Sequence, residues 1–138
     1  MIKSLKIVCI FFLSFIIMIS TTSCDIPYSS YVATKLVRST TSEGYTIRFG
    51  SLKGVISQKM LKAQNDTSVT YSGMLEEGEI NVYLYTPTDR TKTLMFNIKA
   101  GETKEGTFGY VGRKECATII IETVEKSKGK FTFQYTNN

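Results

Sequence analysis

Residues 79–85 read Glu79-Ile80-Asn81-Val82-Tyr83-Leu84-Tyr85, and residues 130–135 read Lys130-Phe131-Thr132-Phe133-Gln134-Tyr135. In both, apolar side chains recur with a period of two, the spacing at which a strand sends successive side chains to opposite faces of its sheet. Ile80, Val82 and Leu84 share one face against Glu79, Asn81, Tyr83 and Tyr85. Phe131, Phe133 and Tyr135 share one against Lys130, Thr132 and Gln134.

The pattern repeats on either side of these runs. Tyr45, Ile47 and Phe49 oppose Thr46 and Arg48, and Leu94, Phe96 and Ile98 oppose Thr93, Met95, Asn97 and Lys99; Val69 with Tyr71 is a shorter fifth case. Between the runs lie Asn65-Asp66, Glu77-Gly78, Pro87-Thr88-Asp89, Ala100-Gly101, Gly112 and Lys128-Gly129, residues that tolerate positive φ or preset a turn. Strands and turns alternating at intervals of roughly ten residues predict an all-β fold, an antiparallel β-sandwich of seven or eight strands. Residues 56–63 (ISQKMLKA) and 116–125 (CATIIIETVE) fit either a strand or a short helix. In the second, the consecutive β-branched Ile119, Ile120 and Ile121 favour a strand buried on both faces.

The N-terminal segment has a different character. Lys3 and Lys6 precede an apolar run from Ile7 to Ile19, broken only by Ser14 and followed by Ser20, Thr21, Thr22 and Ser23. A charged stretch, an apolar stretch and a small-residue stretch make up a secretory signal. The apolar run is thirteen residues long, short of the roughly 20 that cross a bilayer. A signal helix over residues 1–23 is expected, followed by a Ser- and Thr-rich tether over residues 24–42, with a short strand left open at Val32 to Val37, and a β-domain over residues 43–138.

Thr21-Thr22-Ser23-Cys24 resembles the lipobox of bacterial lipoproteins, with Thr21 where that family usually carries Leu, Val or Ile. The resemblance implies diacylglycerol on the Cys24 sulfur, palmitate among the acyl chains, and cleavage after Ser23. Two chains at about 0.8 kcal/mol per buried CH₂ anchor stably. Residues 45–135, through Gly78 to Tyr85 and Gly129 to Tyr135, look like the small β-sandwich domains of uncharacterised Gram-positive lipoproteins, a likeness that brings no activity with it. The expected place is the cell membrane, lipid-anchored and facing away from the cytoplasm.

Composition narrows the chemistry. The chain has no histidine, which removes the usual general base, the commonest metal ligand and the neutral-pH switch together. Cys9 leaves with the signal and Cys24 takes lipid, so Cys116 is unpaired and reads as a small buried hydrophobe. Cleavage removes Lys3 and Lys6 and lowers the net charge from +5 to +3, with no basic stripe to suggest nucleic acid. Glu76, Glu77 and Glu79 sit at one hairpin and read as a solvated rim; with Asn81 they lack the spacing of a calcium loop. Gly106 and Gly109 ease a bulge or turn before Tyr110 and do not form a phosphate cradle. Asn65-Asp66-Thr67 reads as a turn despite matching a glycosylation acceptor.

Neither a catalytic apparatus nor a cofactor or metal is expected. One feature leans toward binding: Tyr83 and Tyr85 on the outer face of their strand, with Met95 on the corresponding face of the next. They are either an exposed aromatic contact surface or are buried or paired across strands. The expected function is noncatalytic binding at the cell envelope, of a protein, a wall polymer or a small ligand. The alternative is a structural or protective accessory of an envelope complex, such as an immunity-like lipoprotein or a subunit.

Overall fold

The alternating runs fold into nine strands in a computed structural model that describes residues 29–137: β1 (Ser30–Thr34), β2 (Val37–Thr40), β3 (Gly44–Lys59), β4 (Thr67–Glu77), β5 (Glu79–Tyr85), β6 (Lys92–Lys99), β7 (Thr103–Val111), β8 (Thr118–Thr123) and β9 (Ser127–Asn137). All pair antiparallel in one sheet. The secretory signal and Cys24 lie outside the described residues.

The register explains how one sheet becomes a sandwich. β1 and β2 lie end to end along one side of β3, pairing in unbroken register from Ser30 opposite Val55 to Thr40 opposite Tyr45. Along the other side run β8 and β9, from Thr118 opposite Lys59 to Gln134 opposite Gly44. β5 and β4 flank β8 and β9 in the same manner, and β6 and β7 flank β5 and β4. Five long paths therefore run side by side, and each bends at mid-length, at residues 35–36, 50–51, 124–126, 78 and 100–102. The bend folds the sheet over itself, as in sandwiches whose strands switch layers at corners. The first layer holds β2, the first half of β3, β9, β4 and β7; the second holds β1, the second half of β3, β8, β5 and β6.

Glycine makes part of the bend possible. Gly78 (φ 89°) and Gly101 (φ 83°) occupy the left-handed region that a side chain disfavours, and a Cβ on Gly78 would lie 2.2 Å from Ser127 Oγ. Backbone hydrogen bonds stitch the row: Ala100 N–H donates to Gly78 O, Gly101 N–H to Leu75 O and Val124 N–H to Glu79 O.

Between the layers lies the core, with Tyr45, Ile47, Phe49, Phe131 and Phe133 from the first and Ile56, Ile80, Val82, Ile119 and Ile121 from the second. Phe96 joins them. Its ring stacks on Tyr71 of β4 at 4.3 Å and approaches Phe131 of β9 at 6.2 Å, closing the free side of the second layer onto the first.

Several expectations are corrected here. Among the described residues there are nine strands where seven or eight were expected, because Ser30–Thr34 and Val37–Thr40 form β1 and β2 in the segment read as tether, where the sequence left open only a short strand at Val32 to Val37. The outward positions of β1 and β2, Val32 and Val37 among them, face solvent, and only Tyr31 and Ala33 turn inward, too few to mark an apolar period in the sequence. The β-structure thus begins at Ser30, earlier than residue 43. Residues 56–59 extend β3, and β8 is a strand with Ile119, Ile120 and Ile121 all buried. Lys128-Gly129 lies within β9, the reversal falling at residues 124–126 instead. Gly109 (φ 71°) is the extra residue of a bulge where Ser68 pairs with Tyr110 and Val69 with Phe108.

Met95 is not on the outer face. A second bulge pairs Val82 with Phe96 but Tyr83 with Leu94, leaving Met95 as the extra residue. The bulge reverses the alternation at that point, so Met95 (9% exposed) joins the core and Leu94 (49% exposed) takes the outward position.

Candidate functional site

The outer face of the second layer carries the predicted tyrosines. Tyr83 and Tyr85 are both half-buried on β5, between β8 and β6. Ile120 lies directly opposite Tyr83 on β8 and is 3% exposed although its side chain points away from the core. On the other side of Tyr83, Lys92 places its Nζ 4.0 Å from the ring centroid and 2.8 Å from Glu122 Oε2. An ammonium over an aromatic face is attracted by the ring quadrupole, and the ion pair fixes it there. Toward the bend, Asn97 Nδ2 donates to Glu79 Oε1 and to Asn81 Oδ1, both at 2.9 Å. This face therefore satisfies its own polar groups, and the broad side of the Tyr83 ring is covered by Lys92.

The outer face of the first layer is built differently. Across four strands the register aligns Val37, Arg48, Lys130 and Met74 in one row. These four side chains line an open groove of about 790 Å³ beside the bend, together with Lys35, Lys128, Glu76 and Glu77. The alternation that buries Ile47, Phe49, Phe131 and Phe133 turns Arg48 and Lys130 to the groove, and Val37 and Met74 stand exposed at its ends. Lys128 Nζ is paired with Glu76, whose hydrogen bond and charge hold the ammonium above the usual lysine pKa. Among the described residues Arg48 and Lys130 make no ion pair.

Like charges directly opposite one another on adjacent strands destabilise a sheet. In the groove four cations meet two carboxylates, and the facing pair, Arg48 and Lys130, contains no anion. The arrangement can hold an anionic group by charge. It offers no nucleophile with a base beside it, and the described residues hold no cluster of three or more Asp, Glu or Cys fit for a metal ion.

The remaining residues singled out in the sequence fall elsewhere. Cys116 is buried just before β8 and is free of any disulfide. Glu76 and Glu77 close the end of β4 while Glu79 is tied to Asn97 on the opposite outer face, so the three carboxylates do not converge. Asp66 accepts a hydrogen bond from Arg113 N–H at 2.7 Å, which fixes the turn read at Asn65-Asp66. Arg48, Lys130, Val37 and Met74 were not singled out. Their outward positions were legible in two of the alternating runs, but only the cross-strand register puts them in a row.

No family model and no curated protein matches the chain. Among solved structures, a family 29 carbohydrate-binding module complexed with mannohexaose is similar at 11% identity and TM-score 0.42, covering 78% of this chain and 77% of that one. The module TmCBM61 in complex with beta-1,4-galactotriose gives 12% identity and TM-score 0.40, over 84% and 85% of the two chains. The Drosophila melanogaster CENP-C cumin domain gives 13% identity and TM-score 0.31, over 85% and 84%. At these values the likeness selects no ligand. The class of protein defined by fold and site is an antiparallel β-sandwich with an open, charged groove on one outer face.

Proposed function

We propose that the protein is a lipid-anchored, noncatalytic binding module of the cell envelope, with the groove beside the bend as its binding site. The observation that carries the reading is the groove itself, where two cations that make no ion pair among the described residues face each other between exposed apolar side chains. A site of that kind recognises by charge and contact and does no chemistry. Tyr83 is the weaker candidate because Lys92 already occupies its face.

The anchor would set the orientation. With lipid on Cys24, only five residues lie between that cysteine and Ser30, where β1 begins, a path of six residue steps. At about 3.3–3.6 Å per residue the reach is roughly 20 Å. Ser29 is hydrogen-bonded to Ser57 N–H and C=O, on the half of β3 that runs away from the bend. So short a tether would keep the loop-bearing end of the sandwich at the bilayer and turn the bend, with its groove, outward.

Two measurements test this. Mass spectrometry of the purified protein is expected to find diacylglycerol on Cys24 and no lipidation or cleavage after Ser23 in Cys24→Ala; an unlipidated mature N-terminus at another residue removes the anchor. For the groove, full-length protein in neutral detergent is titrated with neutral oligosaccharides, acidic peptides and poly(glycerol phosphate), alongside Met74→Trp, which fills the groove from an exposed position. At least one ligand class should bind and lose tenfold or more in the variant. Binding that ignores Met74→Trp, or no binding by any class, overturns the groove as the site.

A further inference from the structure

Resting on the reading of the groove as the binding site, we infer that its ligand is a chain bearing phosphodiester groups, one of which sits between Arg48 and Lys130. The register puts the two residues directly opposite each other on β3 and β9. Facing residues on antiparallel strands have Cα atoms about 4.5–5.5 Å apart, so a single tetrahedral anion reaches both side chains at once. The guanidinium donates a planar fork to two oxygens while the lysine supplies a compact charge, a pairing suited to phosphate.

Two further observations specify the class. The row continues from the cations to Val37 on one side and Met74 on the other, so the groove crosses four strands, about 14 Å at 4.8 Å per strand. A ligand spanning it is extended and has an uncharged, partly apolar backbone on both sides of its charge. Glu77 lines the same groove, and Glu76 is already engaged by Lys128. A carboxylate on a rigid unit would meet these two glutamates, whereas phosphodiesters linked by flexible polyol place hydroxyls between their charges to face them. The ligand's charge also compensates the groove, where cations outnumber carboxylates by two.

The test uses full-length protein in neutral detergent micelles at 50 mM and 300 mM salt, with poly(glycerol phosphate) as probe, dextran as the neutral polymer and vesicles of phosphatidylglycerol as the headgroup source. Binding of poly(glycerol phosphate) should weaken at the higher salt, because released counterions drive it. The Arg48→Ala, Lys130→Ala double variant should bind it at least tenfold more weakly. Lys130→Arg alone should retain most of the wild-type affinity, and Lys53→Ala, an exposed cation on the second half of β3, should leave affinity unchanged. Variants are first confirmed folded by far-ultraviolet circular dichroism; both replaced side chains are exposed. Equal affinity of wild type and double variant overturns the proposal, as does binding to the vesicles but not to the free polymer. Dextran binding that is insensitive to salt and to the double variant, yet blocked by Met74→Trp, also overturns it while leaving the groove as the binding site.

Discussion

The two outer faces of the sandwich come from the same five paths through one folded sheet, yet they treat charge in opposite ways. On the second layer Lys92 is held by Glu122 and the Tyr83 ring, Asn97 by Glu79 and Asn81, and Ile120, opposite Tyr83, is buried. On the first layer the hydroxyls pair, Thr46 with Thr132 and Thr70 with Thr136, but Arg48 and Lys130 face each other across adjacent strands with no anion between them. A face whose polar groups are mutually satisfied contributes to folding. One that leaves like charges opposed holds unspent interaction for a ligand. On these grounds the groove, and not the tyrosine face, is the proposed binding face.

The largest test of that contrast compares equivalent outward positions at the centre of each layer. Ile120→Ala is expected to cost about 2–4 kcal/mol, because it removes buried apolar atoms and leaves a cavity. Thr132→Ala, outward on β9, should stay within about 1 kcal/mol. Denaturant unfolding measures both, and equal losses would mean that the second layer's outer face is no second core.

Next in size is the Tyr83→Ser, Tyr85→Ser pair. Both rings are half-buried, so their loss is expected to destabilise the domain by about 1–3 kcal/mol, while ligand binding in the groove stays within a factor of two. A stable double variant that no longer binds would transfer the site to the tyrosine face.

Smaller still, and opposite in sign between the faces, are two lysine substitutions. Lys92→Ala removes a partly solvent-screened ion pair and a cation over a ring, an expected loss of up to about 1 kcal/mol. Lys130→Ala relieves the repulsion with Arg48 and should be neutral or stabilising by a few tenths of a kcal/mol at low salt, the difference shrinking at high salt. Thermal unfolding at two ionic strengths checks the signs.

The smallest effect at neutral pH, growing with pH, concerns the core under the first layer. Tyr45 is buried against Phe133, its hydroxyl has no hydrogen-bond partner among the described residues, and burial raises its pKa well above the ordinary value of 10. The folded state therefore disfavours the phenolate, so this residue's contribution is intact below pH 10 and is lost progressively as pH rises from there toward the folded pKa. Tyr45→Phe should be neutral or slightly stabilising at pH 7 and should resist alkaline unfolding better than wild type. A parallel decline of both proteins above pH 10 would show that Tyr45 is not responsible.

The sequence by itself determined the strands whose two faces meet different surroundings. Tyr45, Ile47 and Phe49, or Phe131 and Phe133, had to alternate with polar neighbours because one face meets the core and the other meets water. The consecutive isoleucines of β8 likewise announced burial on both faces. At the exposed edge formed by β1 and β2 only Tyr31, Ala33 and Leu36 turn to the core and the other positions face solvent, so the periodic signal is too short to mark more than the short strand left open at Val32 to Val37. Period two also fails wherever a bulge inserts a residue, which is how Met95 and Leu94 exchanged faces. The groove belongs wholly to tertiary structure. Val37, Arg48, Lys130 and Met74 are spread over 94 residues of chain, and each is an unremarkable outward position in its own segment. Only the cross-strand register, set by how the sheet folds across its bend, brings two positive charges face to face; pairing between distant segments is a property of the whole packed sheet and leaves no local trace in the sequence.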